Sequence, residues 1–273
     1  MGLRATFVGK VKKITLIIFF LALSVLAADR ADADDVNIPL PRQGAYAGRG
    51  MSAGLAVGVF DPTENCDCLG VWQAQGDFLY FPWLSGGLDV RFFGGDLDRD
   101  VMVMYQRYRV SAKAFFVKDF FALYLSPVLG LENTSISEIR KELHGKGYDR
   151  DTPNWNSKTP KDSVIDSVEV KRRSCEKMFS LDGFSVGVEL GGGVTLGRYF
   201  GLTGSALYEY NFVEAVQLTL TPGLAFDLRQ VWDWPHEKMR SMWLSFEVGF
   251  QRYFNRGVDS WSKSAVVGIQ LGM

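Results

Sequence analysis

The C-terminal half of this chain alternates apolar and polar residues, strictly and at length. In 261–273, Ala265, Val267, Ile269, Leu271 and Met273 share one face; Ser262, Ser264, Gly268, Gln270 and Gly272 share the other, interrupted by Val266. Met242, Leu244, Phe246, Val248 and Phe250 alternate in the same way with Ser245, Glu247, Gly249 and Gln251, and the stretches 216–229 and 184–196 repeat the pattern. Successive side chains of a strand point to opposite faces, so this period, sustained over whole segments, specifies extended structure and argues against helix. Strands of soluble sheets are typically about five to six residues long, whereas a tilted strand crossing a bilayer needs roughly 9–11.

The chemistry of the two faces is the sharper constraint. The polar face combines glycine and serine with isolated charges, while the apolar face carries almost none. A soluble sandwich crowds Lys and Glu onto its outer face and buries the apolar one. A membrane barrel turns a uniform apolar face to lipid and lines a polar interior with the mixed one. The resulting expectation is an all-β fold, a closed antiparallel up-and-down transmembrane β-barrel. Its strands are expected at 51–60, 70–81, 84–94, 101–117, 119–132, 182–197, 199–212, 214–229, 240–254 and 261–273. Single-chain bacterial barrels keep to even strand numbers. Ten is therefore expected, with eight the alternative if two early segments form one strand or lie outside the barrel. Pro127 and Pro222 fall inside strong segments, where bulges or strand ends are expected because proline removes a ladder bond. Tight connections at 118–119 and 198–199 fall at one end, and a long polar linker at about 133–180 falls at the other. Short periplasmic turns and longer outside loops are arranged in that way.

Upstream, Arg4, Lys10, Lys12 and Lys13 precede an uncharged apolar run from Ile14 to Leu26, followed by Ala27, Ala28, Ala31 and Ala33. That is the order of a secretory signal peptide, and the run is shorter than the roughly 20 residues of a spanning helix. Residues 1–28 are expected to be removed, cleavage as late as 33 being the alternative. Residues 29–50 are expected to form a polar N-terminal lead-in, and 51–273 one barrel domain. No later run is apolar and long enough for a helical span, so a mature chain that enters a membrane does so as a closed barrel.

With these features the chain resembles the small bacterial outer-membrane β-barrel proteins, the broad group of OmpA-like and OmpW-like barrels. The resemblance rests on the signal-peptide order, the Gly-rich first strand 51–60 and a last strand with apolar residues at alternate positions up to Met273. In that group the last residue is usually aromatic, and Met273 departs from the pattern. The resemblance implies the cell outer membrane of a diderm bacterium, outer-membrane lipids as surroundings and the barrel-assembly machinery as a partner during biogenesis.

On the expected inward face lie Asp89, Arg91, Arg107, Arg109, Lys113, Glu132, Glu189, Glu209, Asp227, Arg229 and Glu247, nearly balanced in sign. Unpaired charges in a poorly hydrated interior are costly, so these are expected to pair across the lumen. They would form a structural ion-pair network, or else line a narrow pore or small-ligand site. Trp72, Tyr80, Trp83, Tyr199, Tyr208, Tyr210, Trp232, Trp234, Trp243, Tyr253 and Trp261 lie near strand ends, as aromatic girdles at headgroup depth would; ordinary packing in a soluble sheet is the other reading. In an oxidising compartment a disulfide of Cys175 with Cys66 or Cys68 is expected, one thiol remaining free. The Cys66-Asp67-Cys68 spacing has no second ligand pair, so neither a metal nor another cofactor is expected. His144 and His236 fall on opposite sides of the membrane, which disfavours a catalytic constellation, and no enzymatic activity is expected. A net charge of -1 gives no reason to expect nucleic acid as a partner. The expected function is an integral outer-membrane barrel with a structural or surface-interaction role, or a narrow porin-like channel. The alternatives are a soluble periplasmic β-protein binding an apolar ligand and an outer-membrane enzyme. The residues of the long loop do not specify an extracellular ligand.

Overall fold

The computed structural model describes residues 37–42, 44–46, 50–62, 68–98, 101–118, 120–138, 182–212, 215–231, 239–254 and 261–273. The expected signal peptide, Cys66, Cys175, His144, His236, Trp232 and Trp234 lie outside these residues. Two short strands, β1 (Ile38–Leu40) and β2 (Gly44–Tyr46), come first. The wall then runs β3 (Gly50–Asp61), β4 (Leu69–Phe81), β5 (Leu84–Asp98), β6 (Val101–Lys118), β7 (Phe121–Glu138), β8 (Gly183–Leu196), β9 (Phe200–Asn211), β10 (Ala215–Asp227), β11 (Ser241–Phe254) and β12 (Ser262–Gly272).

Each wall strand pairs antiparallel with the next, and β12 closes on β3, so the ten strands form one up-and-down barrel without an edge. At this seam the backbones of Met51 and Met273 exchange hydrogen bonds of 3.1 and 2.8 Å. Met273, Gly50 and the connections at 82–83, 119–120, 197–199 and 228–240 lie at one end, called the near end below. The connections at 62–68, 99–100, 139–182, 212–214 and 255–261 lie at the far end.

Alternation places the apolar face outward. Leu55 is 69% exposed, Leu129 62% and Phe246 59%, whereas Arg107 and Arg109 are each 1% exposed and Glu189 2%. Burying a large apolar side chain is worth about 1.5–3 kcal/mol. A wall that exposes such residues on nearly every strand while enclosing its charges is therefore inverted relative to a water-soluble fold.

Several details correct the sequence expectations. Strand β7 runs to Glu138, so 133–138 belong to the wall and not to the long loop; their partners are 101–106 of β6. Polar residues such as Asn133 and Ser135 show no apolar alternation, yet ladder hydrogen bonds carry the strand past the apolar band. Pro127 and Pro222 mark neither bulges nor strand ends. Each stands opposite a residue on one neighbour, Val188 and Gly204. The ladder to the other neighbour lapses beside each proline and resumes in the same register. A strand residue points both backbone polar groups to one neighbour, so a missing N–H interrupts only that side. Trp243 and Tyr253 do not belong to an outer girdle: they share parity with Ser245 and Glu247 and are buried inward. Finally, 38–46 is no polar lead-in. Strands β1 and β2 form an antiparallel hairpin, apart from the wall ladder and buried inside the barrel, because Ile38, Leu40 and Tyr46 find an apolar surface there.

Candidate functional site

The lumen is filled in three layers. At the far end, inward residues of the wall strands make an apolar cluster with Phe60, Leu69, Phe93, Val103, Tyr105 and Tyr253 among its members. Phe93 stacks edge-on to Phe60 at 5.0 Å between ring centroids and tilts against Tyr105 at 5.2 Å.

The middle layer is ionic. Arg107 Nε lies 2.8 Å from Glu132 Oε1, and its terminal nitrogen donates to Gln217 at 3.1 Å. Arg109 forms a two-pronged pair with Glu209, its Nε donating at 2.9 Å and its Nη2 reaching the second oxygen. Lys113 donates to Asp77 at 2.7 Å, and Gln75 donates to the other oxygen of the same carboxylate at 2.6 Å. Arg91 lies 3.4 Å from Asp89. Tyr124 donates to Glu189 at 3.1 Å. Glu247 is buried on the same lining beside Gly223. Asp227 closes the near end of β10 and pairs at 3.1 Å with Arg229, which stands in a 3-10 turn at the rim, outside the enclosed lining. The sequence placed these eleven residues on one face; the structure brings together Arg107 with Glu132, Arg109 with Glu209, Arg91 with Asp89 and Arg229 with Asp227. Two participants escaped the sequence reading: Asp77 on a strand of weak alternation, and Arg42. Cys68, at the far end before β4, is exposed with a free thiol.

The near layer is the hairpin. Its apolar side packs with Phe115, Ala122 and Tyr124, Tyr46 meeting Phe115 at 5.2 Å. The wall holds its ends with side chains. Trp243 donates to Asn37 Oδ1 at 2.8 Å, Asn37 donates to Asp227 at 3.2 Å, and the Tyr46 hydroxyl donates to the Pro82 carbonyl at 2.8 Å. At its tip, Gln270 donates to the Leu40 carbonyl at 3.1 Å and Gln73 to the Arg42 carbonyl at 3.2 Å. Arg42 adopts a left-handed φ of 59°, a conformation costing about 1–2 kcal/mol outside glycine. Its guanidinium lies 3.2 Å from Glu189 and 3.9 Å from Asp89. A guanidinium does not deprotonate in a protein, so Arg42 puts a permanent cation into the middle layer.

Two cavities in the near half measure about 20 and 10 Å³, one beside Leu40 and Phe115, the other beside Arg42, Asp89 and Glu189. A water needs roughly 10–15 Å³, so each has room for about one molecule. The described lumen is a packed interior.

Fold and lumen together define a closed barrel of inverted polarity, sealed by its own side chains at one end and by a hairpin at the other. Neither a protein-family model nor a curated protein matches the sequence. Among solved structures, it is similar to the beta domain of the Bordetella autotransporter BrkA, at 11% identity over 83% of this chain and 100% of that one, with a TM-score of 0.39. It is also similar to the translocator domain of the Neisseria meningitidis autotransporter NalP, at 10% identity over 83% and 89%, with a TM-score of 0.35. Neisserial surface protein A gives 10% identity over 82% and 96%, with a TM-score of 0.34. At such scores the likeness adds nothing to what the closed strand order establishes.

Proposed function

We propose that the chain is an integral outer-membrane β-barrel of a diderm bacterium, with a structural and surface-facing role and a lumen closed in the conformation described. One observation carries this reading: the barrel presents large apolar side chains outward on nearly every strand and encloses its ionic network. Hydrocarbon is the solvent that makes such a wall stable, and a closed ladder is what hydrocarbon requires of strands. The short connections at 82–83, 119–120 and 197–199 support placing the near end in the periplasm and the far end outside. The packed lumen supports a structural role over an open pore, and the reading assigns no catalytic activity.

Cell fractionation followed by extraction with and without detergent tests it. The protein is expected in the outer-membrane fraction, released only by detergent and migrating differently on gels before and after boiling. A freely water-soluble monomer would instead establish the periplasmic alternative. In planar bilayers the wild-type barrel is expected to give negligible steady conductance; a large, stable conductance would restore the porin-like reading.

A further inference from the structure

The hairpin is bound to the barrel in a manner unlike any wall strand. It makes a two-stranded sheet of its own, with three residues in each strand, and joins no ladder of the wall. Isolated two-stranded hairpins are marginal in water. It therefore depends on side-chain anchors and on the ion pairs of Arg42.

The wall is shaped to receive it. A Cβ added at Gly193 of β8 would overlap the Pro39 carbonyl, and one at Gly201 of β9 would overlap the Pro39 ring. The carboxylates that meet Arg42 are, in contrast, only partly engaged. Among the described residues no protein group donates a hydrogen bond to Asp89; its two cations stand at 3.4 and 3.9 Å. The Arg42 Nε also donates to no protein group. In the neighbouring Arg109–Glu209 and Lys113–Asp77 pairs each cation donates directly to its carboxylate, leaving only Arg109 Nη1 without a protein acceptor among the described residues, so they form a floor of matched charges. If the hairpin leaves, Asp89 keeps Arg91 at 3.4 Å, with Arg109 and Lys113 lining the same cavity, while Glu189 loses the cation described within 4 Å of it and keeps the Tyr124 hydroxyl; the acid left without a close cation favours a replacement. The far layer stays shut, because its seal belongs to the wall strands themselves.

We propose that the near half of the lumen is a guanidinium-binding vestibule, occupied by the chain's own Arg42, and that the β1–β2 hairpin is a displaceable plug. The ligand class is a guanidinium group carried on an extended peptide, the form in which Pro41 and Arg42 now fill the site. The direction of approach, from the periplasm, rests on the outer-membrane reading; the site itself does not.

The test uses the full chain folded in detergent micelles, with Cys66, Cys68 and Cys175 replaced by serine and Ala45→Cys as a buried reporter on β2. Arg42→Ala is expected to speed maleimide labelling of the reporter roughly tenfold or more, as a local opening exposes it. Ethylguanidinium at millimolar concentration is expected to slow the labelling again, whereas sodium chloride at equal ionic strength is not, and adding Glu189→Gln should abolish the rescue. Unchanged labelling in a folded Arg42→Ala barrel, or rescue by salt alone, would overturn the proposal. Gly193→Val dislodges Pro39 while leaving the charges intact and is expected to speed labelling as well. Failure of both variants to fold would make the hairpin an indispensable part of the core and equally defeat the idea. Fractionation of the wild-type protein decides its membrane placement separately.

Discussion

The two halves of the lumen are closed by different means. At the far end the seal is continuous with the wall: Phe60, Leu69, Phe93, Tyr105 and Tyr253 are strand residues, fixed by the same ladders that fix the barrel. At the near end the seal is a separate piece of chain, held by Gln73, Gln270, Trp243, Tyr46 and Arg42. Opening the far end means deforming the cylinder, whereas opening the near end breaks a handful of contacts. Two seals of similar tightness can thus differ greatly in how independently they move.

The sharpest way to break this contrast is to remove one cation from each kind of seal. Arg109→Ala strands Glu209 in the wall, where no movable part can relieve it, and should cost about 3–5 kcal/mol. Urea titration of the barrel in lipid vesicles measures the loss. Arg42→Ala should cost clearly less by the same titration, because the hairpin can leave; equal losses would erase the distinction between the two halves. The contrast also assumes that hydrocarbon surrounds the wall. Leu55→Arg, outward at mid-height of β3, should then cost about 2–4 kcal/mol in vesicles. In a water-exposed wall the same change would fall within about 0.5 kcal/mol of zero. A finer probe is Trp243→Phe, which keeps an aromatic ring of smaller volume and removes the donor to Asn37. It should cost about 1 kcal/mol for the hydrogen bond, with a further loss for the vacated indole volume, and raise hydrogen exchange in the hairpin while leaving the far-end strands protected. The smallest effect is expected from Cys68→Ser, which should leave stability unchanged. Thiol titration of the unreduced protein should give one free thiol for the wild type and none for Cys68→Ser, as a Cys66–Cys175 bridge requires.

The wall was legible because its information is local. Period two, with glycine and serine on one face and apolar residues on the other, places the wall strands to within a few residues, apart from the polar far ends of β5 and β7, while ten strands in place of eight follows from the even strand number of such barrels. The ionic lining was legible as a face but not as a set of pairs. Which acid meets Arg109 depends on how the cylinder closes, and Glu209 comes from three strands away around the wall. Asp77 is hard to place from sequence because β4 carries apolar residues on both faces, Leu69 and Val71 inward against Trp72, Phe78 and Tyr80 outward, which blurs the contrast that marks a lumen side. The hairpin left no periodic trace at all. Three residues are too few to show a period, Pro39 and Pro41 read as loop, and Arg42 reads as solvent-facing until the carboxylates of Asp89 and Glu189 are placed around it. Trp243 and Tyr253 show the complementary difficulty: near a strand end, aromatic character alone does not distinguish the headgroup region from the lumen, and parity decides.

The anchors of the hairpin have a consequence for the cylinder as a mechanical object. Gln270 belongs to β12 and Gln73 to β4, so the tip of this small element is tied on both sides of the junction where the first and last wall strands meet. That junction joins the parts of the barrel most remote along the chain and carries the longest closure to be satisfied. The inserted loop acts there as a crossbar behind a gate. While it is in place, parting β12 from β3 must also break the tie that the hairpin makes across them, from Gln270 on β12 to Gln73 on β4, and once it swings out the hoop is left with its least local joint unbraced.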